Sequence, residues 1–317
     1  MKRITIVIPA YNEEHNILPV LSAITVEMQK TKESYSIIVV DDGSTDKTWQ
    51  IITKARDDFP MLQAIQLSRN FGKEAALVAG LDMAKGDAVI IMDADMQHPP
   101  TLIPEMIRLW KSGSVDIVET AKRVRGRESF FYKACSKFLY TMLNRLTATN
   151  MNNVSDFCLL DAKVISAWRH IRETNLFFRG ILVWLGFRRE KIFFDVLPRV
   201  RGFSKWTFIQ LVKLAITSIT AFSSLPLRVV TMLGGLFLLF AAVMGMRAVF
   251  LKFYSNVVID GITTLILLIL LVGSLLMIAL GIIGEYIARI YDEVKLRPRY
   301  IVANQLVDQA PDDFPPK

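Results

Sequence analysis

The chain has 317 residues, of which 52% are hydrophobic and 21% are charged, and it carries a formal net charge of +8. Its positive mean hydropathy excludes a disordered or collagen-like chain and indicates that part of it lies in lipid. Two cysteines without a C-x-x-C motif or a histidine at metal-ligand spacing exclude a disulfide-stapled fold and favour a reducing compartment.

The N-terminal half alternates short β-branched runs with helical segments. Strands are predicted at residues 4–8, 36–40, 62–67, 87–92 and 115–118, and a helix at 73–83. A further helix is expected to begin near Asn12, and Ser44 or Thr45 to cap the helix that carries Trp49. This alternation predicts an α/β fold with a mostly parallel sheet, which binds ligands at the carboxyl ends of its strands.

Acidic clusters follow the second and fourth predicted strands. Asp41 and Asp42 form the first, and Asp93 and Asp95, with Gln97 behind them, form the second. Such oxygen ligands suit Mg²⁺ or Mn²⁺, which keep coordination positions open for diphosphate oxygens. Glycine-rich dinucleotide and P-loop motifs are absent, and three scattered histidines favour neither a zinc site nor a histidine-based triad.

The C-terminal third reads as a membrane anchor. Charged residues are absent from 229–246 and from 261–284, which predicts a transmembrane hairpin with spans at about 229–250 and 261–284. The loop between the spans carries little positive charge beyond Lys252, so the N-terminal domain and both termini are expected on the cytoplasmic side of an inner membrane. The apolar run at 4–8 is too short for a signal peptide.

These patterns give a predicted division of the chain. The segments are a cytoplasmic α/β domain at 1–205, an amphipathic interfacial helix at 206–226, the transmembrane hairpin at 227–288 and a cytoplasmic tail at 289–317. An ordinary core helix is the alternative for the second segment. The tail after Ile301, which is rich in proline, is expected to be disordered.

Four ordered motifs resemble those of glycosyltransferase family 2. They are P-A-Y-N-E-E at 9–14, D-D-G-S-T-D at 41–46, S-R-N-F-G-K at 68–73 and D-A-D-M-Q-H-P at 93–99. With R-V-R-G-F-S-K-W at 199–206 and the two-span tail, the chain is more narrowly similar to the polyprenyl-phosphate glycosyltransferases, such as dolichol-phosphate mannose synthase and the bactoprenol glucosyltransferases. It departs from the family at Cys158, where arginine is common, so no phosphate contact is carried over to that position.

The resemblance implies a GT-A fold and the metal-dependent, inverting transfer of one sugar from a nucleotide diphosphate to a polyprenyl phosphate. UDP-glucose and undecaprenyl phosphate are the first expectation, with UDP-GlcNAc, another modified sugar or GDP-mannose as alternative donors. The resemblance also implies that the protein lies in a lipid bilayer and forms a homo-oligomer. A separate flippase and a downstream transferase are expected to act after it in cell-envelope or O-antigen modification.

Carried over position by position, the resemblance assigns three groups of site residues. The substrate-binding residues are Pro9, Tyr11, Glu13, Val40, Asp42, Asp93, Ala94, Gln97, Arg123, Arg199 and Lys205; the metal ligands are Asp93, Asp95 and Gln97; and the catalytic residues are Asp95 and Asp156. Asp156 would orient or deprotonate the acceptor. Positioning and charge neutralisation are expected to be the larger effect, because a lipid phosphate is already anionic.

Other interpretations stay open at this point. A processive polysaccharide synthase usually has Q-x-x-R-W and more spans, and neither is present. A membrane-anchored subunit that binds sugar nucleotides without turnover is the non-enzymatic alternative. A nucleic-acid binder is not supported, since no recognition motif occurs and the basic residues cluster towards the membrane. His98 would contact a ligand or stabilise its loop, and the aromatic run at 177–187 would be core or acceptor-side.

Overall fold

The computed structural model describes residues 1–122, 154–171, 173, 178–194, 225–254 and 261–306. The chain divides into two compact units. Residues 1–206 together with 297–317 form the first, here called the sheet unit, and residues 207–296 form the second, the helical unit. The C-terminal residues therefore belong to the same unit as the N-terminal half, although the helical unit separates them in sequence.

The sheet unit begins with a regular alternation of strands and helices. Its first elements are β1 (Arg3–Ala10), α1 (Ile17–Thr31), β2 (Ser34–Asp41), α2 (Thr48–Ala55), β3 (Leu62–Leu67), α3 (Lys73–Met83), β4 (Ala88–Ile91) and α4 (Ile103–Lys111). Strands β1, β2 and β4 are nearly continuous apolar runs because both faces of the sheet are covered. In β1, for example, Ile6 lies in one buried apolar cluster and Val7 in the other.

The remaining strands make the sheet mixed. They and their helices are β5 (Ile117–Lys122), β6 (Val154–Asp161), α5 (Ala162–Arg169), α6 (Phe178–Trp184), β7 (Arg189–Phe194) and β8 (Val302–Leu306). The strand order is β7-β5-β6-β4-β1-β2-β3-β8. The central strands β4, β1, β2 and β3 pair in parallel, as do β5 and β7, whereas β6 and β8 pair antiparallel with their neighbours. The predicted α/β fold with a mostly parallel sheet is confirmed.

Two local predictions, one after the first strand and one after the second, were wrong. Helix α1 begins at Ile17 rather than near Asn12, because Asn12 takes a left-handed backbone conformation with φ of 56°. Neither Ser44 nor Thr45 caps α2, which begins at Thr48. The hydroxyl of Ser44 instead accepts a hydrogen bond from the backbone N–H of Asn12 at 2.9 Å. Asn12 and Ser44 therefore join the loops after β1 and β2 at the carboxyl edge of the sheet.

The strand boundaries also differ at the fifth strand and in the tail. The fifth strand begins at Ile117 and runs to Lys122, beyond the predicted 115–118. The expectation of disorder directly after Ile301 was wrong, because residues 302–306 form β8 on the outer edge of β3. Tyr300, just before β8, donates a hydrogen bond to Asp82 at 3.0 Å. The start of the tail is thus an integral part of the sheet unit.

Helix α3 packs unusually close to the sheet at Gly80. A β-carbon at this position would lie 2.3 Å from Cγ1 of Val7 in β1, a distance that no real β-carbon contact allows. The missing side chain lets α3 lie directly on the central strand. Since α3 follows β3, its first residue, Lys73, lies at the carboxyl edge of the sheet.

The helical unit contains two long helices, α7 (Leu225–Tyr254) and α8 (Ile262–Val294). By length and composition, both are apolar enough to cross a membrane, over Val230–Arg247 and Leu271–Val294. Large apolar side chains such as Leu239 and Met277 are exposed on them, as expected for helices that face lipid. The predicted interfacial helix lies outside the described residues, except that Leu225 and Pro226 begin α7.

Candidate active site

The candidate site lies at the carboxyl edge of the parallel strands, where the loops after β1, β2, β3 and β4 meet. The loops after β1 and β2 are interlocked by hydrogen bonds. The side-chain oxygen of Asn12 accepts from the N–H of Thr45 at 2.9 Å, and the N–H of Glu13 donates to the hydroxyl of Thr48 at 2.9 Å. Tyr11, at the start of the loop after β1, is 40% exposed. Its ring is therefore accessible to a ligand.

Asp41 and Asp42 are both buried, and both organise the backbone around them. Asp41 accepts hydrogen bonds from the N–H of Ser44 at 3.1 Å and from the side chain of Gln66 at 2.8 Å. The partners of Asp42 lie on the loop after β3. The first acidic cluster thus fixes the shape of the edge from inside the sheet unit.

The carboxylate of Asp42 holds the loop that precedes α3. Its two oxygens accept the backbone N–H groups of Phe71 at 2.8 Å and Gly72 at 2.9 Å. Burial raises the pKa of Asp42, and these two hydrogen bonds oppose that rise. Gly43, with φ of 65°, lets the loop after β2 lie directly against the backbone of Arg69 in the loop after β3. A β-carbon at Gly43 would lie 2.4 Å from the backbone carbon of Arg69. Asp42 therefore positions the start of α3.

The centre of the site is an ion-pair cluster that joins β4, β6, α3 and α6. The ammonium nitrogen of Lys73 lies 2.6 Å from Oδ1 and 2.8 Å from Oδ2 of Asp93. The same nitrogen lies 2.6 Å from Oδ2 of Asp156, whose Oδ1 accepts from Nε of Arg179 at 2.6 Å. Lys73 therefore bridges the acidic motif after β4 to the carboxylate on β6.

These contacts set the protonation states in the cluster. Burial disfavours ionisation of Asp156, but Arg179 and Lys73 outweigh it and hold the pKa of Asp156 far below its ordinary value. Burial likewise disfavours the ammonium of Lys73, yet Asp93 and Asp156 keep its pKa above the ordinary value. At neighbouring Glu74 the cations Lys73 and Arg179 act more weakly, and burial followed by the charge of Asp156 raises the pKa of Glu74 to about 7.

The loop after β4 presents the predicted metal ligands. Oδ1 of Asp95 accepts the N–H of Gln97 at 3.0 Å, and Met96 between them has a positive φ of 58°. Burial, with smaller contributions from carboxylates that include Asp95 and Asp93, raises the pKa of Glu13. Glu13 therefore lies close enough to this loop to sense its charge. The loops after β1 and β4 are neighbours at the edge, because the two strands pair in parallel.

A divalent cation is compatible with the donor set at this edge. Among the described residues, no group of three or more histidine, cysteine, aspartate or glutamate side chains is arranged to hold an ion. Two carboxylates and the amide of Gln97 are nevertheless the hard oxygen ligands that Mg²⁺ accepts, because Mg²⁺ retains waters and substrate phosphates in its remaining positions. Lys73 already forms an ion pair with Asp93, so a cation that binds Asp93 would lie next to the ammonium of Lys73.

The other predicted residues fall into two groups. Pro9 and Val40 are paired across β1 and β2, and Ala94 is buried beside the acidic motif. The predicted phosphate contacts Arg123 and Arg199 lie outside the described residues, as does Lys205. The structure thus describes Asp156 and the residues predicted to bind the donor, and it leaves the predicted phosphate contacts as predictions.

His98 has a structural environment in the described residues. Its Nε2 lies 2.5 Å from the hydroxyl of Ser155, and its ring lies 5.7 Å from that of Phe157 and 5.8 Å from that of Phe194. It is 5% exposed. Of the two interpretations given for His98, stabilisation of the loop agrees with this geometry.

Sequence reasoning did not assign roles to Lys73, Glu74 or Arg179. Lys73 lies in the S-R-N-F-G-K motif and Arg179 in the aromatic run at 177–187, so both lie within segments that had been recognised. Their common partner, Asp156, is distant in sequence from Lys73. Only the antiparallel insertion of β6 beside β4 brings the three side chains together.

Comparison with known proteins identifies relatives over nearly the whole chain. The family model described as Glycosyl transferase family 2 matches residues 5–167. The chain is 38% identical to the uncharacterized glycosyltransferase sll0501 of Synechocystis sp. over 95% of both chains. It is 35% identical to the bactoprenol glucosyl transferase of Shigella phage SfV, over 96% of this chain and 99% of the relative.

Solved structures show similarity at lower identity. Mannosyl-3-phosphoglycerate synthase from Rubrobacter xylanophilus is 15% identical with a TM-score of 0.49, over 68% of this chain and 71% of that protein. Glucosyl-3-phosphoglycerate synthase from Mycobacterium tuberculosis, solved with Mn²⁺, UDP-glucose and phosphoglyceric acid, is 19% identical with a TM-score of 0.48, over 69% of this chain and 78% of that protein. The α/β sheet and the family match together identify a GT-A-like fold.

Proposed function

The chain belongs to glycosyltransferase family 2, and we propose that it transfers one sugar, with inversion, from a nucleotide diphosphate to a polyprenyl phosphate. One observation carries the proposal. Asp93, which the resemblance assigns to the donor, and Asp156, which it assigns to the acceptor, share the ammonium of Lys73 at 2.6 Å each. The residues assigned to the two substrates therefore meet at one point, as a direct transfer between two bound substrates requires.

The donor is proposed to bind over the interlocked loops after β1 and β2. Tyr11 offers an exposed ring for a base, and Pro9, Glu13 and Val40 surround the same edge. Asp42 contributes chiefly by holding the backbone of Phe71 and Gly72. Ala94 and Gln97 would contact the diphosphate side of the donor.

Asp93, Asp95 and Gln97 are proposed to hold Mg²⁺ or Mn²⁺. When bound, the cation would supply Lewis-acid neutralisation of the leaving diphosphate. Asp95 is well suited to this role because the N–H of Gln97 fixes one of its oxygens at 3.0 Å and so fixes the direction of the carboxylate. The chemistry of the donor set supports the assignment.

In the proposed reaction, a phosphate oxygen of the lipid attacks the anomeric carbon of the sugar. The bond from that carbon to the diphosphate breaks, and its electron pair leaves with the nucleoside diphosphate. The attacking oxygen is already anionic near neutral pH. A general base is most effective when its pKa lies near the working pH, and the pKa of Asp156 is held far below that range. Asp156 therefore acts by positioning and charge, rather than as a base.

The relatives support a proposal for the acceptor and the donor. Proteins called bactoprenol glucosyl transferases match nearly the full length of this chain, so undecaprenyl phosphate and UDP-glucose are the proposed substrates. UDP-GlcNAc, another modified sugar and GDP-mannose are the alternative donors. Arg123, Arg199 and Lys205 are the proposed phosphate contacts, since cations must bring two polyanions together.

The cellular setting is part of the same proposal. Helices α7 and α8 would anchor the enzyme in the inner membrane, with the sheet unit and both termini in the cytoplasm. The glycosylated lipid would then need a flippase and a downstream transferase to modify a cell-envelope glycan such as O-antigen. Self-association into a homo-oligomer is a further expectation from the resemblance.

The test is a transfer assay with the purified full-length protein. Undecaprenyl phosphate, Mn²⁺ or Mg²⁺, and a panel of radiolabelled UDP- and GDP-sugars are supplied. We expect label to enter the lipid phase, to be lost with EDTA, and to fall by at least about a hundredfold in Asp95→Asn. Asp57→Asn, at an exposed position of the sheet unit, is the matched control and should transfer normally. Binding of nucleotide without labelled lipid from any donor would favour the binding-subunit alternative instead.

A further inference from the structure

Lys73 is held in place more firmly than a surface lysine requires. It is the first residue of α3, and the two residues before it are fixed by the carboxylate of Asp42 at 2.8 and 2.9 Å. Gly80 lets the same helix lie directly on β1. Helix α3 is thus held in place near both of its ends, and this fixes the backbone of Lys73. The ammonium of Lys73 lies between two carboxylates.

The position of this ammonium is chemically unusual for a site that binds a cation. Its nitrogen lies within 2.8 Å of both oxygens of Asp93 and 2.6 Å from Asp156. The side chain is 42% exposed over its length, but its ammonium nitrogen is largely desolvated by the carboxylates around it. It therefore occupies space next to Asp93 that a divalent cation would approach.

We infer that Lys73 is a positioning residue that holds Asp93 and Asp156 together and competes with the divalent cation for Asp93. The inference deepens the proposed function and rests on it. When a cation binds Asp93, repulsion between like charges moves the ammonium of Lys73 away from Asp93. Asp156 is then its remaining partner. Binding of the donor together with its cation would in this way strengthen the ion pair between Lys73 and Asp156.

A merely structural role would behave differently. If Lys73 only stabilised the fold, its removal would loosen the loop after β4 and weaken cation binding together with turnover. Competition instead predicts that removal of Lys73 strengthens cation binding and lowers turnover. Without the ammonium, Asp93 is more available to a cation, while Asp156 loses one of the two cations that orient it.

The experiment is a Mn²⁺ titration followed by electron paramagnetic resonance on full-length protein in detergent, without donor or lipid. We expect Lys73→Met to bind Mn²⁺ roughly tenfold more tightly than wild type, the low end of what one neighbouring charge does to a carboxylate. In the transfer assay the same variant should lose kcat with little change in the KM for the sugar nucleotide. Lys85→Met, at an exposed position of the sheet unit, is the matched control and should change neither quantity.

A second variant keeps the inference testable if Lys73→Met does not fold. Asp156→Asn leaves Lys73 with Asp93 as its main partner, so we expect weaker Mn²⁺ binding than in wild type. Equal or weaker Mn²⁺ binding by folded Lys73→Met, or tighter binding by Asp156→Asn, would overturn the competition. Mn²⁺ binding is measured without transfer. A wild-type protein that glycosylates no lipid would therefore refute the proposed function, while the order of Mn²⁺ affinities still decides the role of Lys73.

Discussion

Glu74 shows how one partly buried side chain makes the sheet unit sensitive to pH. Its carboxylate accepts the N–H of Phe178 at 3.1 Å, which ties α3 to the start of α6 and so to Arg179. Burial and the charge of Asp156 raise the pKa of Glu74 from 4.5 to about 7. Between these two values the folded protein keeps a proton that the unfolded chain has lost. Stability is therefore lost as pH rises through this window, by up to about 3 kcal/mol.

Replacement of Glu74 by glutamine should remove this pH dependence. Glu74→Gln keeps a side-chain oxygen for the N–H of Phe178 but has no proton to lose. We expect its melting temperature, relative to wild type, to be higher at pH 8 than at pH 5.5, measured on full-length protein in detergent. Glu190→Gln, an exposed glutamate on β7, is the control and should follow wild type at both values. Parallel pH profiles for Glu74→Gln and wild type would contradict the assignment.

At the level of single residues, the sequence predicted what lies within one motif. Asp93, Asp95 and Gln97 are close in sequence, so the strand that precedes them is enough to place them at the edge. The role of Lys73 was not predicted, because its charge is explained only by Asp156 on β6. Asp42 was predicted as a ligand contact. Its hydrogen bonds to two backbone N–H groups could not be read from the sequence, since they depend on how the loop after β3 folds back.

Among the elements, β8 was the one least visible in the sequence. Its five residues, V-A-N-Q-L, are neither a β-branched run nor a regular alternation. Their strand conformation comes from pairing with β3, far away in the chain. The side chain of Asn304 donates to Gln66 at 2.7 Å, and Gln66 in turn donates to the buried Asp41. The central strands were predicted well because their own composition demands burial on both faces.

Removal of β8 should therefore destabilise the sheet unit and not only shorten the tail. A chain that ends at Ile301 leaves the backbone groups of β3 unpaired at an edge and breaks the link from Asn304 to Gln66. We expect a lower melting temperature by several degrees, together with more aggregation on size-exclusion chromatography. A chain that ends at Leu306 keeps β8 and is the matched control. Equal melting temperatures for the two truncations would show that β8 contributes nothing to stability.

On the scale of the whole molecule, the order of the two units along the chain constrains how the enzyme is built. The sheet unit is completed only after the helical unit has been synthesised, because β8 follows α8. The two apolar helices are consecutive, so a membrane crossed by both returns the chain to the side from which it came. The sheet unit then has both of its sequence segments on one side, as its single sheet requires.

The distribution of basic residues predicts the side of the membrane on which the sheet unit lies. Basic residues flank the two apolar stretches, while the connection between them carries little positive charge beyond Lys252, so the connection should face away from the cytoplasm. A single cysteine at Asn256 or at Asp57 tests this in a Cys135→Ser background. Cys158 can stay, because burial raises the pKa of its thiol and keeps it unreactive. In intact bacterial cells a membrane-impermeant maleimide should label Asn256→Cys, and Asp57→Cys only after permeabilisation. The reverse pattern would place the sheet unit on the outer side, away from cytoplasmic nucleotide sugars, and would refute the proposed topology.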